Sequence, residues 1–134
     1  MLLNEVLNKP YKWKFHKKSK REWGILFKTD VGEQYHIVLF YSADDEAWML
    51  SFGNVSGYDE PEGVLNTGDE FRVFATVIAV VTEFLKEIEP ERLYFTAKEK
   101  SRNKLYRRLI DKFANKMGYY ATKQPTGEFE LVRK

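Results

Sequence analysis

Four runs of alternating apolar residues fill the first half of the chain, and beyond Phe71 the apolar spacing lengthens to three and four. A period of two puts successive side chains on opposite faces of a strand, whereas a period near 3.6 draws a stripe along a helix. Tyr11, Trp13 and Phe15 alternate with Lys12, Lys14 and His16, and the cluster 16–21 (HKKSKR) reads as a polar turn. Trp23, Ile25 and Phe27 form a second alternation, closed by the turn Asp30-Val31-Gly32-Glu33. Residues 34–41 are apolar on both faces, which reads as a central strand covered on both sides. After the turn 42–46, Trp48, Leu50 and Phe52 share one face of a fourth strand.

The second half mixes two helical stretches with further strands. Residues 53–66 hold Gly53, Gly57, Pro61 and Gly63 and read as a long loop of the kind that is functional or mobile. The loop ends at Thr67-Gly68-Asp69-Glu70, a capping box in which Thr67 and Glu70 satisfy each other's amides. Phe71, Phe74, Ala75, Ile78, Val81 and Leu85 follow at helical spacing, and Pro90 enforces the stop. Residues 93–97 read as a fifth strand. A second helix is expected over 101–117, with Leu105, Leu109, Phe113 and Met117 on its stripe and Gly118 as the residue after its end. Residues 119–123 and 128–132 make a closing hairpin, and residues 1–9 a short lead-in. The expected order is β-β-β-β-α-β-α-β-β in one domain, 1–134. The fold class is α+β, a mixed, mostly antiparallel sheet of about seven strands with two amphipathic helices. The step from strand four to strand five through a helix calls for a parallel pair.

Composition excludes several chemistries. The chain has no cysteine, so disulfides, thiol nucleophiles and thiolate zinc sites are out. It has only two histidines, His16 and His36, which lie 20 positions apart, and a histidine-rich metal site is excluded with them. The start lacks the basic and apolar regions of a signal peptide, and 73–81 is too short to span a bilayer, so no membrane is expected and the cytoplasm is the expected location. No Gly-x-Ser-x-Gly elbow or phosphate-binding Gly-Lys-Ser/Thr loop occurs, and His16 and His36 lie on strands with no obvious nucleophile partner for a triad. Asp44, Asp45, Asp59, Glu60, Glu62, Asp69 and Glu70 fit no EF-hand spacing and read as solubilising acids. No metal and no cofactor is expected.

The formal charge of +2 conceals a segregation. Residues 12–21 hold six Lys/Arg and no acid, residues 29–71 hold ten Asp/Glu and no Lys or Arg, and residues 98–116 hold eight basic residues against Glu99 and Asp111. Such blocks are solvated faces first, yet they make a molecule electrically two-sided and able to steer a charged partner. Lys98, Lys100, Arg102, Lys104, Arg107 and Arg108 are the candidate partner-binding residues. A row of that kind can contact phosphates while Tyr94 or Tyr106 stacks on a base of single-stranded nucleic acid. The pI near 8.7 is modest, and the acidic block opposes a long nucleic-acid track. A protein partner is therefore favoured, and pairing of opposite faces between two copies is a further route.

Two resemblances add to this reading. The order of elements is similar to the second two thirds of the GCN5-related N-acetyltransferase fold. Leu105-Tyr106 followed by a helix end at Met117-Gly118-Tyr119 resembles that family's terminal motif. The resemblance implies Tyr106 as the acid that protonates a departing coenzyme A thiolate, with Gly68 and Arg72 at the place of the coenzyme loop. The family's Arg/Gln-x-x-Gly-x-Gly/Ala loop is itself absent: Asp69 and Glu70 open the helix, and both would repel a pyrophosphate. The segment 67–77, with Phe95-Thr96-Ala97-Lys98, Ser101-Arg102 and Leu105-Tyr106, resembles small uncharacterised proteins of tailed bacteriophages. That implies an accessory protein of the infected bacterial cytoplasm. The expected function is a non-enzymatic factor that binds a host or phage macromolecule through charged faces. Acetyl transfer and single-stranded nucleic-acid binding are the alternatives.

Overall fold

A computed structural model describes residues 9–55, 69–96, 113–123 and 129–134. Its elements in chain order are β1 (Trp13–Lys18), β2 (Glu22–Lys28), β3 (Gln34–Ser42), β4 (Ala47–Asn54), α1 (Asp69–Ile88), β5 (Arg92–Thr96), β6 (Tyr119–Lys123) and β7 (Phe129–Arg133). The fold is α+β. Seven strands form one mixed sheet in the order β1-β2-β3-β4-β5-β7-β6, joined by α1 and by a second helix whose described end is 113–116. β4 and β5 are the parallel pair, with Trp48 opposite Leu93 and Ser51 opposite Thr96; every other pairing is antiparallel. Among the described residues no helix is long and apolar enough to cross a membrane.

The alternation read in the sequence is the core. Trp23, Ile25 and Phe27 of β2, Tyr35, Ile37 and Leu39 of β3, and Trp48 and Leu50 of β4 are all buried, as are Leu93, Phe95 and Leu131 beyond them. The helix α1 closes this face. Its Phe84 ring meets Trp23 edge-on at 5.1 Å and Trp48 at 4.9 Å, the tilted geometry that aromatic quadrupoles favour. α1 is buried well beyond the expected stripe, because Val73, Val77, Val80 and Phe84 are covered too. Thr76, fully buried, is satisfied in both directions: its hydroxyl donates to the Arg72 carbonyl and accepts the Tyr11 amide, each at 2.8 Å.

The turns obey local chemistry. Gly32 takes φ +90° between β2 and β3, and Gly118 takes φ +82° after the helical segment 113–116, as its position at the end of a helical pattern predicts. Pro90 follows the end of α1 at Ile88, with Glu89 in a left-handed conformation between them.

Boundaries shift by a residue at β5 and β7, and three larger points differ from the sequence reading. Residues 16–18, expected in a turn, belong to β1, because Lys17 and Lys18 pair with Gly24 and Trp23 and only 19–21 turn the chain. β4 runs on through Gly53 and Asn54, which pair with His36 and Tyr35. β3 is not sealed on both faces: His36 and Val38 are half-buried and Phe40 is 38% exposed, so its outward row stays partly open. The expected capping Thr67, the loop 56–66 and most of the second helix lie outside the described residues.

Candidate functional site

The feature that stands apart from packing is the outer side of β1 to β3. β1 is an edge strand, paired with β2 on one side and with no strand on the other among the described residues. Its basic run comes from the sequence block 12–21, and all six cations of that block are exposed. Two of them are engaged. Lys17 pairs with Glu22 at 2.6 Å, while Lys18 pairs with Glu87 at 3.0 Å and rests over the Trp23 ring at 4.6 Å. Lys12, Lys14, Lys20 and Arg21 have no ion pair among the described residues. Edge lysines discourage pairing with another basic strand, and they leave an acidic one complementary in charge.

The two histidines, far apart in sequence, meet on this face. Nε2 of His16 on β1 lies 2.8 Å from Nε2 of His36 on β3, so one ring donates its N–H and the other accepts. Between them β2 contributes Gly24, which is buried beneath the His16 ring. Burial and the adjacent His16 hold His36 below the ordinary imidazole value, and Glu22 opposes them. The 20-residue separation that set a histidine site aside is therefore bridged by two hairpins. Sequence reasoning missed the pair because its register depends on a bulge; the available signal was a glycine in the strand between the two histidines.

The residues singled out from sequence are distributed differently. Tyr106, Gly68, Lys98, Lys100, Arg102, Lys104, Arg107 and Arg108 lie outside the described residues. Arg72 sits in the first turns of α1, and its guanidinium is engaged through Nε, Nη1 and one face. It donates to Asp30 at 2.9 Å and to the Lys9 carbonyl at 3.1 Å, and it stacks over the Tyr11 ring at 3.9 Å. That arrangement ties the segment before β1 and the β2–β3 turn to the start of α1. Among the described residues no three side chains of metal-ligating type gather.

A family model, that of a family of unknown function (DUF6934), matches residues 9–122. The chain belongs to that family. The match takes in β1 to β5 and all of β6 but Lys123, with both histidines and the basic edge, and stops short of β7. No curated protein and no solved structure matches the chain.

Proposed function

We propose that the chain is a non-enzymatic binding domain, a phage accessory factor by the resemblance described above, that takes an extended acidic protein segment along β1. The observation that carries this reading is a strand edge with no partner strand among the described residues, bearing three exposed cations and flanked by three more. An unpaired edge offers amides and carbonyls at strand spacing, and an added strand gains main-chain hydrogen bonds there. Lys12, Lys14, Lys20 and Arg21 then select for acidic side chains. A nucleic-acid backbone shares the charge but cannot use the strand edge, which favours a protein partner.

Titration with a labelled, extended Glu-rich peptide tests the proposal against an oligothymidylate of equal charge. Saturable peptide binding that is lost when Lys12, Lys14, Lys20 and Arg21 are changed together to Glu is the expected result. Binding of the oligonucleotide alone, with a steep salt dependence, overturns it in favour of single-stranded nucleic acid.

Acetyl transfer is the second reading, supported by the parallel β4–β5 pair joined through α1. It draws little from Arg72, whose Nε and Nη1 already donate to the Lys9 carbonyl and to Asp30. Calorimetry with acetyl-CoA decides it: heat of binding, together with a slower turnover in Tyr106→Phe, supports transfer, and no heat at millimolar coenzyme removes it.

A further inference from the structure

The surroundings of Gly24 are built around the crossing of one side chain. β1 carries a register shift between Phe15 and Lys17, which leaves His16 without a partner in the ladder. A bulge of this kind re-aims the side chain it carries. Here it lays the His16 ring over β2 at Gly24. A Cβ at position 24 would run into Nε2 and would lie 2.7 Å from Cε1 and 3.0 Å from Cδ2. Glycine is thus required for the ring to pass. On the far side the ring meets His36, whose own register partners are Leu26 and Gly53. A bulge, a glycine and the chain's two histidines converge on one point, on an exposed face where strand pairing needs none of them.

We propose that His16 and His36 form a two-imidazole site for a divalent transition-metal ion such as Cu²⁺, Ni²⁺ or Zn²⁺. Imidazole nitrogen suits these ions, and soft or all-oxygen sets do not compete in a pair without cysteine. Two Nε2 atoms each about 2.0–2.1 Å from one ion lie about 2.8–3.4 Å apart for bond angles near 90–110°. The observed 2.8 Å is just inside that range, so a small rocking of the rings admits the ion. The same geometry sets the ring centroids about 4.5–5.2 Å apart, and they stand at 4.9 Å. The metal takes both Nε2 lone pairs, and the proton shared between the rings moves to Nδ1 of its own imidazole. Water, or a donor from a bound partner, completes the coordination, since no third described side chain joins the two. Occupied, the site fastens the edge strand β1 to β3 across β2.

The test uses the untagged full chain with Cu²⁺ or Zn²⁺ alone. Calorimetry should show one ion per chain, and Cu²⁺ electron paramagnetic resonance should show coupling to two nitrogens. Both signals should vanish in His16→Gln and in His36→Gln, whose surface positions let the variants fold, as circular dichroism checks. Gly24→Ala, which pushes the His16 ring aside, should weaken binding by about tenfold or more. Binding that persists in both glutamine variants belongs to carboxylates elsewhere and overturns the proposal. So does the absence of binding to the wild-type chain.

Discussion

The buried carboxylate of Glu130 on β7 accepts the Nε–H of Arg92 across the β5–β7 ladder. Glu130 is 8% exposed at its side chain and Arg92 44%, so the acid is the desolvated partner and the base reaches out to solvent. The contact raises the Arg92 pKa through the hydrogen bond and the charge of Glu130. Removing the arginine strands a charge in the sheet. We expect Arg92→Ala to lower stability in urea by about 2 kcal/mol, less than for a fully buried pair because Arg92 is half in water. The double variant Arg92→Met/Glu130→Leu should recover most of the loss, since no charge is then left unpaired.

Phe84 is held between Trp23 and Trp48, fully buried at the centre of the helix–sheet contact. Truncation there leaves a cavity that two indoles cannot close. Phe84→Ala should cost about 3–5 kcal/mol and Phe84→Leu about 1.5 kcal/mol or less, both read by chemical denaturation with unchanged slope.

Gly24 and His16 are coupled by contact. The three nearest atoms to a Cβ at position 24 all belong to the His16 ring. Gly24→Ala alone should destabilise the chain by about 1 kcal/mol, the low end for overpacking, because the group displaced is the ring of an exposed histidine. In a His16→Ala background the same change should be nearly neutral, giving a coupling energy of about 1 kcal/mol in a double-mutant cycle. Simple additivity would show that the glycine serves the backbone and not the ring.

Tyr119 donates its hydroxyl to the Pro90 carbonyl at 2.7 Å, and burial pushes its pKa above the ordinary phenol value, with Arg133 opposing. A group whose folded pKa is raised keeps its proton while the unfolded chain loses it. Its stability contribution is whole below pH about 10 and is lost as pH rises through the folded value. Tyr119→Phe should therefore flatten part of the alkaline loss of stability above pH about 10. At neutral pH it should cost about 1 kcal/mol, because the Pro90 carbonyl loses its donor.

Periodicity carried most of the fold. Trp23/Ile25/Phe27 and Tyr35/Ile37/Leu39 alternate because one face of the sheet is buried, and the spacing from Phe74 to Leu85 is helical because α1 covers that face. The parallel β4–β5 pair followed from a helix placed between two strands. Periodicity was silent where position depends on a partner element. Lys17 and Lys18 look like turn residues and are strand residues, since a hydrogen-bonded partner and not polarity decides strand membership. Val73, Val77 and Val80 fall off the expected stripe and are buried all the same, because they share a helix face with Phe84, which meets Trp23 and Trp48 of the sheet.

The sequence by itself determined the class of fold, the strand faces, the glycine turns at Gly32 and Gly118, and the basic block that became the β1 edge. Those features depend on local conformational preference and on which side chains water rejects. The tertiary structure alone decided that His16 and His36 touch, that Arg72 is spent on Asp30 and the Lys9 carbonyl, and that Glu130 is buried against Arg92. Each of these contacts joins segments at least 20 residues apart. The histidine contact depends on ladder register, which a one-residue bulge at His16 resets without leaving a mark on hydrophobic pattern; the other two depend on which distant segments the fold packs together.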